Sequence, residues 1–192
     1  MRRALGAAFI AALSGSGLVG CSDGTTRPSV EPDAVVTVEA AQVQPQGFSM
    51  VQARITAADA EVCEVCLWLA DEVDERSRGL MGVTDLGDAV GMAFRFEAPT
   101  SRPFYMFQTP TPLSIAWFAP DGRHVDSADM TPCLDTPAGD CKMYSLGRRY
   151  DVAVEVFAGD LAELGIGPGS SIELIDASDA DASDASDCPA TP

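Results

Sequence analysis

The stretch SRPFYMFQTPTPLSIAWFAPDG, residues 101–122, decides the expected fold. Its two apolar runs, residues 104–108 and 113–118, are typical of strands, whose successive side chains point to opposite faces. The tetrapeptide TPTP at 109–112 separates them. Its two prolines lack backbone N–H groups, so it cannot lie in a central ladder. The stretch therefore predicts two strands joined by a bend, followed by a type I turn at APDG, residues 119–122.

The rest of the chain adds strands and little helix. Alternation of apolar and polar residues predicts a hairpin and four further extended segments, and two short helices begin at Asp71 and Asp160, the first ending at Gly82. The predicted extended segments are 50–56, 61–69, 91–96, 123–128, 150–159 and a last strand before residue 175. The predicted fold class is α+β: a compact, mostly antiparallel, β-rich and barrel-like domain with two short helices.

The N-terminus predicts export and a lipid anchor. Arg2 and Arg3 precede an uncharged stretch, residues 4–19, which fits a signal peptide better than a membrane span. The stretch ends in LVGC, which resembles the bacterial lipobox and implies that Cys21 is acylated after removal of residues 1–20. Each buried CH₂ of the acyl chains contributes about 0.8 kcal/mol to anchoring. Ser22 favours the outer membrane, facing the periplasm, because lipoproteins retained at the inner membrane often carry aspartate there.

Composition divides the mature chain into three parts. Residues 21–47 carry the lipid and three prolines and are typical of a flexible tether. Residues 48–175 form the β-rich domain. Residues 176–192 are an acidic Ala/Ser/Asp tail without large apolar side chains, which predicts disorder. The formal net charge of −17 makes nucleic acid an unsuitable partner, because like charges repel.

Six cysteines suit an oxidising compartment. Cys133 and Cys141 flank a loop containing proline and glycine, and the sequence predicts a disulfide between them. Cys63 and Cys66 form a CxxC motif on a predicted strand, where their positions lie about 10 Å apart on opposite faces, too far for a bridge. The interpretation is that one is in the core and the other is exposed or pairs with a remote partner such as Cys188. A thiol-redox role for Cys63 and Cys66 remains the alternative.

Five blocks, in order, carry a family resemblance: ERSRGLMG, GMAFRF, FYMFQTPTPLSIAWFAPDGRHVD, the cysteine loop, and YDVAVEVFAGDLAELGIGPGSSIEL. Over residues 62–174 the chain resembles the bacterial and archaeal family called domain of unknown function 192. The resemblance implies a compact β-rich fold and no activity, since the family's function is not established.

The resemblance also points to substitutions in a polar region. The family pattern places Lys, Asn and Thr after the aromatic run and Asp after Pro-Leu. This chain keeps Thr109 but has Phe107, Gln108 and Ser114 at the other three places. If the family holds a charged ligand through that Lys and Asp, the resemblance implies weak binding here.

The candidate ligand-binding residues are Arg78, Arg102, Gln108 and Thr109. His124 is more consistent with a surface histidine than with a general base, because no nucleophile stands near it in sequence. The sequence thus predicts a lipid-anchored, non-catalytic module that binds a small ligand or an envelope protein, with no metal and no cofactor. The alternative is a periplasmic enzyme or thiol-redox protein that uses Cys63 and Cys66, or a polar pocket near Arg78, Arg102, Gln108 and His124.

Overall fold

The structure is a computed structural model and describes residues 42–176 and residue 188. The predicted signal peptide, Cys21, residues 22–41 of the tether and most of the acidic tail lie outside the described residues. Within the described part of the chain, no helix is long and apolar enough to cross a membrane.

Seven strands and two α-helices make up the domain. They are β1 (Ser49–Thr56), β2 (Val62–Ala70), α1 (Val73–Arg78), β3 (Gly91–Thr100), β4 (Leu113–Phe118), β5 (His124–Met130), β6 (Tyr150–Phe157), α2 (Asp160–Glu163) and β7 (Ser171–Ile175). A short 3₁₀ turn spans Ala138–Asp140. The predicted α+β class with two short helices is confirmed.

The strands form one mixed sheet in the order β5-β4-β6-β3-β2-β1-β7. Every neighbouring pair is antiparallel except β2 and β3, which are parallel. This pair needs a crossover, and the connection through α1 is long enough to supply it. A single bridge between Arg123 and Ser171 brings the two edge strands together at one corner. The sheet is not closed, so the barrel-like description applies only loosely.

Both faces of the central part of the sheet are buried. One apolar cluster contains Phe118, Val154 and Ile172, from strands near opposite ends of the strand order, so the sheet curves around this face. A second cluster lies on the other face, under α1 and the long loops, and contains Trp68, Met92, Phe94, Ile115, Trp117 and Tyr150. As a result, β6 is covered on both sides, and β3 and β4 flank it.

The predicted strand at residues 104–108 is wrong. This segment makes only isolated bridges, from Phe104 to Tyr144 and from Phe107 to Cys133. The prolines at both ends of the segment lack N–H donors, and Gln108 has a positive φ of 52°, which no strand allows. The segment instead crosses the sheet as an irregular cover.

The first helix is shorter than predicted. Glu72 rather than Asp71 is its N-cap, because the Glu72 and Glu75 side chains form a reciprocal capping box. The helix ends at Arg78, and Gly79, with φ of 48°, is its C-cap in place of Gly82. Gly79 lies so close to the sheet that an added Cβ would meet the Phe94 ring at 3.1 Å.

The packed domain extends beyond its predicted limits at both ends. The Val43 N–H donates to the Thr84 hydroxyl, and the Thr84 N–H donates to the Val43 carbonyl. Pro45 is buried. At the other end, Asp176 pairs with Arg95 at 2.7 Å. Residues 42–47 and Asp176, placed by the sequence in the tether and the tail, therefore contact the domain.

Two disulfides are present in the described residues, Cys133–Cys141 and Cys66–Cys188. Cys63 is free and partly buried. The second disulfide joins β2 to the acidic tail. Cys66 is thus bonded to the remote partner that the sequence had suggested, and not to Cys63.

Candidate functional site

A cavity of about 170 Å³ lies between α1, the irregular segment 101–109 and the helix-covered face of the sheet. Its lining combines three arginines, several aromatic rings and one acid: Arg76, Ser77, Arg78, Gly79, Leu80, Met81, Phe94, Phe96, Arg102, Pro103, Phe104, Tyr105, Thr109 and Glu155. We call it the α1 cavity.

The acid of the α1 cavity is Glu155, in the central strand β6. It is 5% exposed, and its partners in the ladder are Met92 of β3 and Ile115 of β4, both fully apolar neighbours. Burial raises the pKa of Glu155 to about 8, because the carboxylate loses its hydration. The described residues give its carboxyl no hydrogen bond and no cation. Glu155 is therefore mostly a neutral acid at neutral pH, placed in the wall of a cavity.

Two arginines lie at the outer part of the cavity. Arg78, at the end of α1, is exposed and stacks over the Phe48 ring with 4.2 Å between its Cζ and the ring centroid. Arg102 is also exposed. Neither makes an ion pair within the described residues. Their guanidinium groups thus remain available to an anion.

Arg76 has a different, structural role. It donates to the backbone carbonyls of Asp71 and Arg95 and stacks over Phe96 at 5.1 Å from the centroid. These contacts tie α1 to β3. The Arg76 Nη1 therefore helps to fix the wall of the cavity, while the Nε is buried without a hydrogen-bond partner in the described part of the chain.

Aromatic rings line the same cavity as the acid and the arginines. Phe94 and Phe104 meet edge to face with centroids 5.0 Å apart. Tyr150 supports Phe104 from behind, and its hydroxyl donates to the Arg102 carbonyl. Burial raises the pKa of Tyr150, so this hydroxyl keeps its proton. The backbone that carries Arg102 is fixed by this bond.

The cysteine loop holds segment 101–109 over the sheet. The Cys133 N–H donates to the Met106 carbonyl at 3.1 Å, and the Gln108 N–H donates to the Cys133 carbonyl at 3.0 Å. The Cys133–Cys141 disulfide closes this loop. On the other side, the Gly82 N–H donates to the Gln108 carbonyl at 2.8 Å, which connects the segment to the end of α1. Segment 101–109 is therefore hydrogen-bonded to the cysteine loop on one side and to Gly82 on the other.

Of the predicted ligand-binding residues, the structure brings Arg78, Arg102 and Thr109 together in the α1 cavity. Gln108 is exposed beside the cavity and does not line it. The buried Thr109 uses its hydroxyl to donate to the Phe107 carbonyl at 3.3 Å.

The predicted inclusion of His124 in the same polar pocket is wrong. His124 begins β5 at the far corner of the sheet and packs edge to face on Phe118, with centroids 5.9 Å apart. Burial lowers its pKa, which favours the neutral imidazole. It lies apart from the α1 cavity because β5 is an edge strand.

The two substituted family positions do not form one site. Ser114 donates to Asp129 at 2.6 Å and accepts from the Gly159 N–H, on the face of β4 away from the α1 cavity. Phe107 packs in the cover and does not line the cavity. The family's Lys and Asp are replaced at these two positions, and the replacements do not alter the lining of the α1 cavity because neither residue lines it.

Sequence reasoning missed Glu155. The alternation of β6 places Val152, Val154 and Val156 on one face, so Glu155 reads as solvent-facing. Glu155 is buried because β6 is an inner strand whose two faces are both covered. The sequence does not show the order of the strands in the sheet, so it could not show that this glutamate is buried.

The curved mixed sheet with a cavity under its helix and loop cover defines the chain as a β-rich α+β domain. The family model described as Uncharacterized ACR, domain of unknown function 192, matches residues 53–174. The chain belongs to this family.

Two solved structures are similar to the chain. One, a candidate transcription regulator from Sinorhizobium meliloti 1021, is 22% identical with a TM-score of 0.58, and the match covers 66% of this chain and 95% of that one. At this identity it shows the fold alone. The other, a protein of unknown function from Novosphingobium aromaticivorans DSM 12444, is 28% identical with a TM-score of 0.56 over 70% of this chain and 93% of that one. No curated protein matches the chain.

Proposed function

We propose that this protein is a lipid-anchored binding module that takes a small ligand in the α1 cavity. The observation that carries the proposal is Glu155, an acid buried in the cavity wall that has no partner among the described residues. Burying an unpaired polar group costs a few kcal/mol of stability. Acids with strongly raised pKa values in cavities are concentrated at functional sites, where the group meets a ligand.

The residues around the cavity favour binding over catalysis. The lining contains no cysteine and no histidine. Its one serine, Ser77, is exposed and donates to the Val73 carbonyl of its own helix at 2.8 Å. A nucleophile activated by an adjacent base is thus missing from the lining, and Glu155 has no hydroxyl or thiol within hydrogen-bond reach. The thiol-redox alternative also loses support, because Cys66 is bonded to Cys188 and not to Cys63.

The binding function is tested by screening a library of small metabolites with ¹⁵N-labelled protein lacking residues 1–21. Ligands of the α1 cavity should shift the amide resonances of Gly79, Phe104 and Thr109, while those of the far corner around His124 stay unchanged. A screen in which no compound shifts the cavity amides would contradict the proposal.

The anchor is a separate part of the proposal and rests on the LVGC motif ending at Cys21. The acyl chains would hold the domain at the outer membrane. Removal of residues 1–20 takes Arg2 and Arg3 from a chain of net charge −17, and the resulting charge of −19 would keep the domain soluble in the periplasm. Cys21→Ala should release the protein from the membrane fraction and abolish labelling by radioactive palmitate. A Cys21→Ala protein that still sediments with membranes would exclude lipid anchoring at this position.

A further inference from the structure

Resting on the proposed binding function, we infer that the α1 cavity takes a small organic zwitterion. Its ammonium group would meet Glu155 at the inner end, and its anionic group would meet Arg78 and Arg102 at the outer end. An apolar spacer between the two charges would lie along the aromatic walls.

The inner end suits a cation. Glu155 is a buried acid to which residues 42–176 and 188 offer no partner, and a ligand ammonium would supply charge-assisted hydrogen bonds to its carboxylate. The rings of Phe94 and Phe104 line the same cavity, and aromatic faces attract ammonium groups through the ring quadrupole. An anion at this end would not be attracted by the aromatic faces and would be repelled by Glu155 in its ionised form.

The outer end suits an anion. Arg78 and Arg102 are exposed and make no ion pair in the part of the chain that the structure describes, although the protein has 29 acidic residues. Guanidinium groups bind carboxylates and phosphates through paired hydrogen bonds. Two unpaired arginines beside one cavity therefore favour an anionic group there.

The two ends lie at different depths, which sets the shape of the ligand. Glu155 is buried, whereas Arg78 and Arg102 are at the surface, and Phe94 and Phe96 line the same cavity. A cavity of about 170 Å³ admits several non-hydrogen atoms, since one water needs only about 10–15 Å³ by this measure. A linear zwitterion with a few methylenes between its charges fits this arrangement.

Binding would be coupled to proton release. The charged or titratable groups that line the cavity with Glu155 are Arg76, Arg78, Arg102 and Tyr105, while the flanking strands present apolar Met92 and Ile115. At pH 7 the free protein holds Glu155 mostly protonated, because its pKa is about 8. An incoming ammonium stabilises the carboxylate, and the carboxyl proton leaves to the buffer.

Calorimetry with three matched probes tests the inference: 6-aminohexanoate, hexanoate and hexylamine. The first carries both charges, and each of the others lacks one. Titrations at pH 7 in phosphate and in Tris, which have different ionisation enthalpies, give the number of protons released. We expect 6-aminohexanoate to bind at least tenfold more tightly than either control and to release close to one proton.

Variants identify the groups responsible. Glu155→Gln should weaken 6-aminohexanoate at least tenfold and remove the proton release, while Arg102→Gln should weaken both 6-aminohexanoate and hexanoate. Glu97→Gln, an exposed acid on β3, is the matched control and should change neither quantity. Circular dichroism of each variant verifies that it is folded.

Equal affinity for hexanoate and 6-aminohexanoate, with no effect of Glu155→Gln, would overturn the zwitterion inference and leave a binding site for anions. Failure of all three probes would also overturn it. The binding function would then stand if library compounds shift the cavity amides of Gly79, Phe104 and Thr109, and would fall together with the inference if none does.

Discussion

Glu155 lowers the stability of the folded protein, because its carboxyl group is buried in an apolar environment. The strand around it alternates as an ordinary half-exposed strand would, yet both faces of β6 are covered. Gln would fill the same space without the penalty for ionisation in an apolar environment. Natural proteins tolerate such costs where activity requires them.

The raised pKa of Glu155 predicts a specific pH dependence of stability. A folded-state pKa of about 8 lies above the unfolded value, so the folded protein binds the extra proton. The stabilising effect of protonation is complete below pH 4 and is lost as the pH rises to about 8. Relative to wild type, Glu155→Gln should therefore gain roughly 1 kcal/mol of unfolding free energy for each pH unit between 5 and 8.

Urea unfolding at pH 5, 6, 7 and 8 measures this difference. Glu97→Gln, which changes an exposed acid on the neighbouring strand, should follow the wild-type curve. Parallel pH curves for Glu155→Gln and wild type would mean that Glu155 titrates normally in the folded state.

At the scale of elements, the strands follow from the sequence because alternation and turn residues are local properties. β1, β2, β4, β6 and β7 lie within a residue or two of their predicted positions. The irregular segment 101–109 could not be predicted in this way, because its apolar residues pack against the sheet without pairing as a strand. Burial alone cannot distinguish a strand from an irregular segment that lies on a core.

The cysteine loop should stabilise this cover. A disulfide that closes a short loop contributes about 2–3 kcal/mol by restricting the unfolded chain. The double substitution Cys133→Ser/Cys141→Ser should therefore lower the unfolding free energy by that amount in urea, with the largest gain in hydrogen exchange at Met106 and Gln108. Cys63→Ser is the control, and an equal loss in both proteins would contradict a stabilising disulfide.

β3 and β6 approach so closely at Gly91 that no side chain fits. An added Cβ would lie 2.3 Å from the Glu155 carbonyl oxygen and 2.9 Å from Val156. Gly91→Ala should lower stability by about 1–3 kcal/mol, as overpacking does in close-packed cores. Gly139→Ala is the matched control, because nothing lies within 4 Å of its added Cβ. Equal urea midpoints for the two variants would show that the strands can separate at no cost.

At the scale of the whole molecule, the disulfide between Cys66 and Cys188 connects positions 122 residues apart. The sequence left the pairing of Cys66 open, because strand geometry excluded only the short-range bridge to Cys63. The structure joins the acidic end of the chain to β2.

Peptide mapping of the protein without reduction should recover the peptides of Cys66 and Cys188 linked to each other. In protein lacking residues 1–21, it should also find one thiol, Cys63, alkylated by iodoacetamide in the unfolded chain. Recovery of a Cys63–Cys66 bridge would contradict this arrangement and restore the thiol-redox alternative.

The proposed binding site depends on Glu155, an acid that the described residues leave without a partner in the α1 cavity. NMR titration of the Glu155 side-chain carboxyl carbon, from pH 4 to pH 10 in the absence of ligand, measures this most directly. We predict a transition at a pKa of about 8. A transition at the ordinary glutamate value of about 4.3 would show that the carboxylate is solvated or paired, and the α1 cavity would lose its claim to be a binding site.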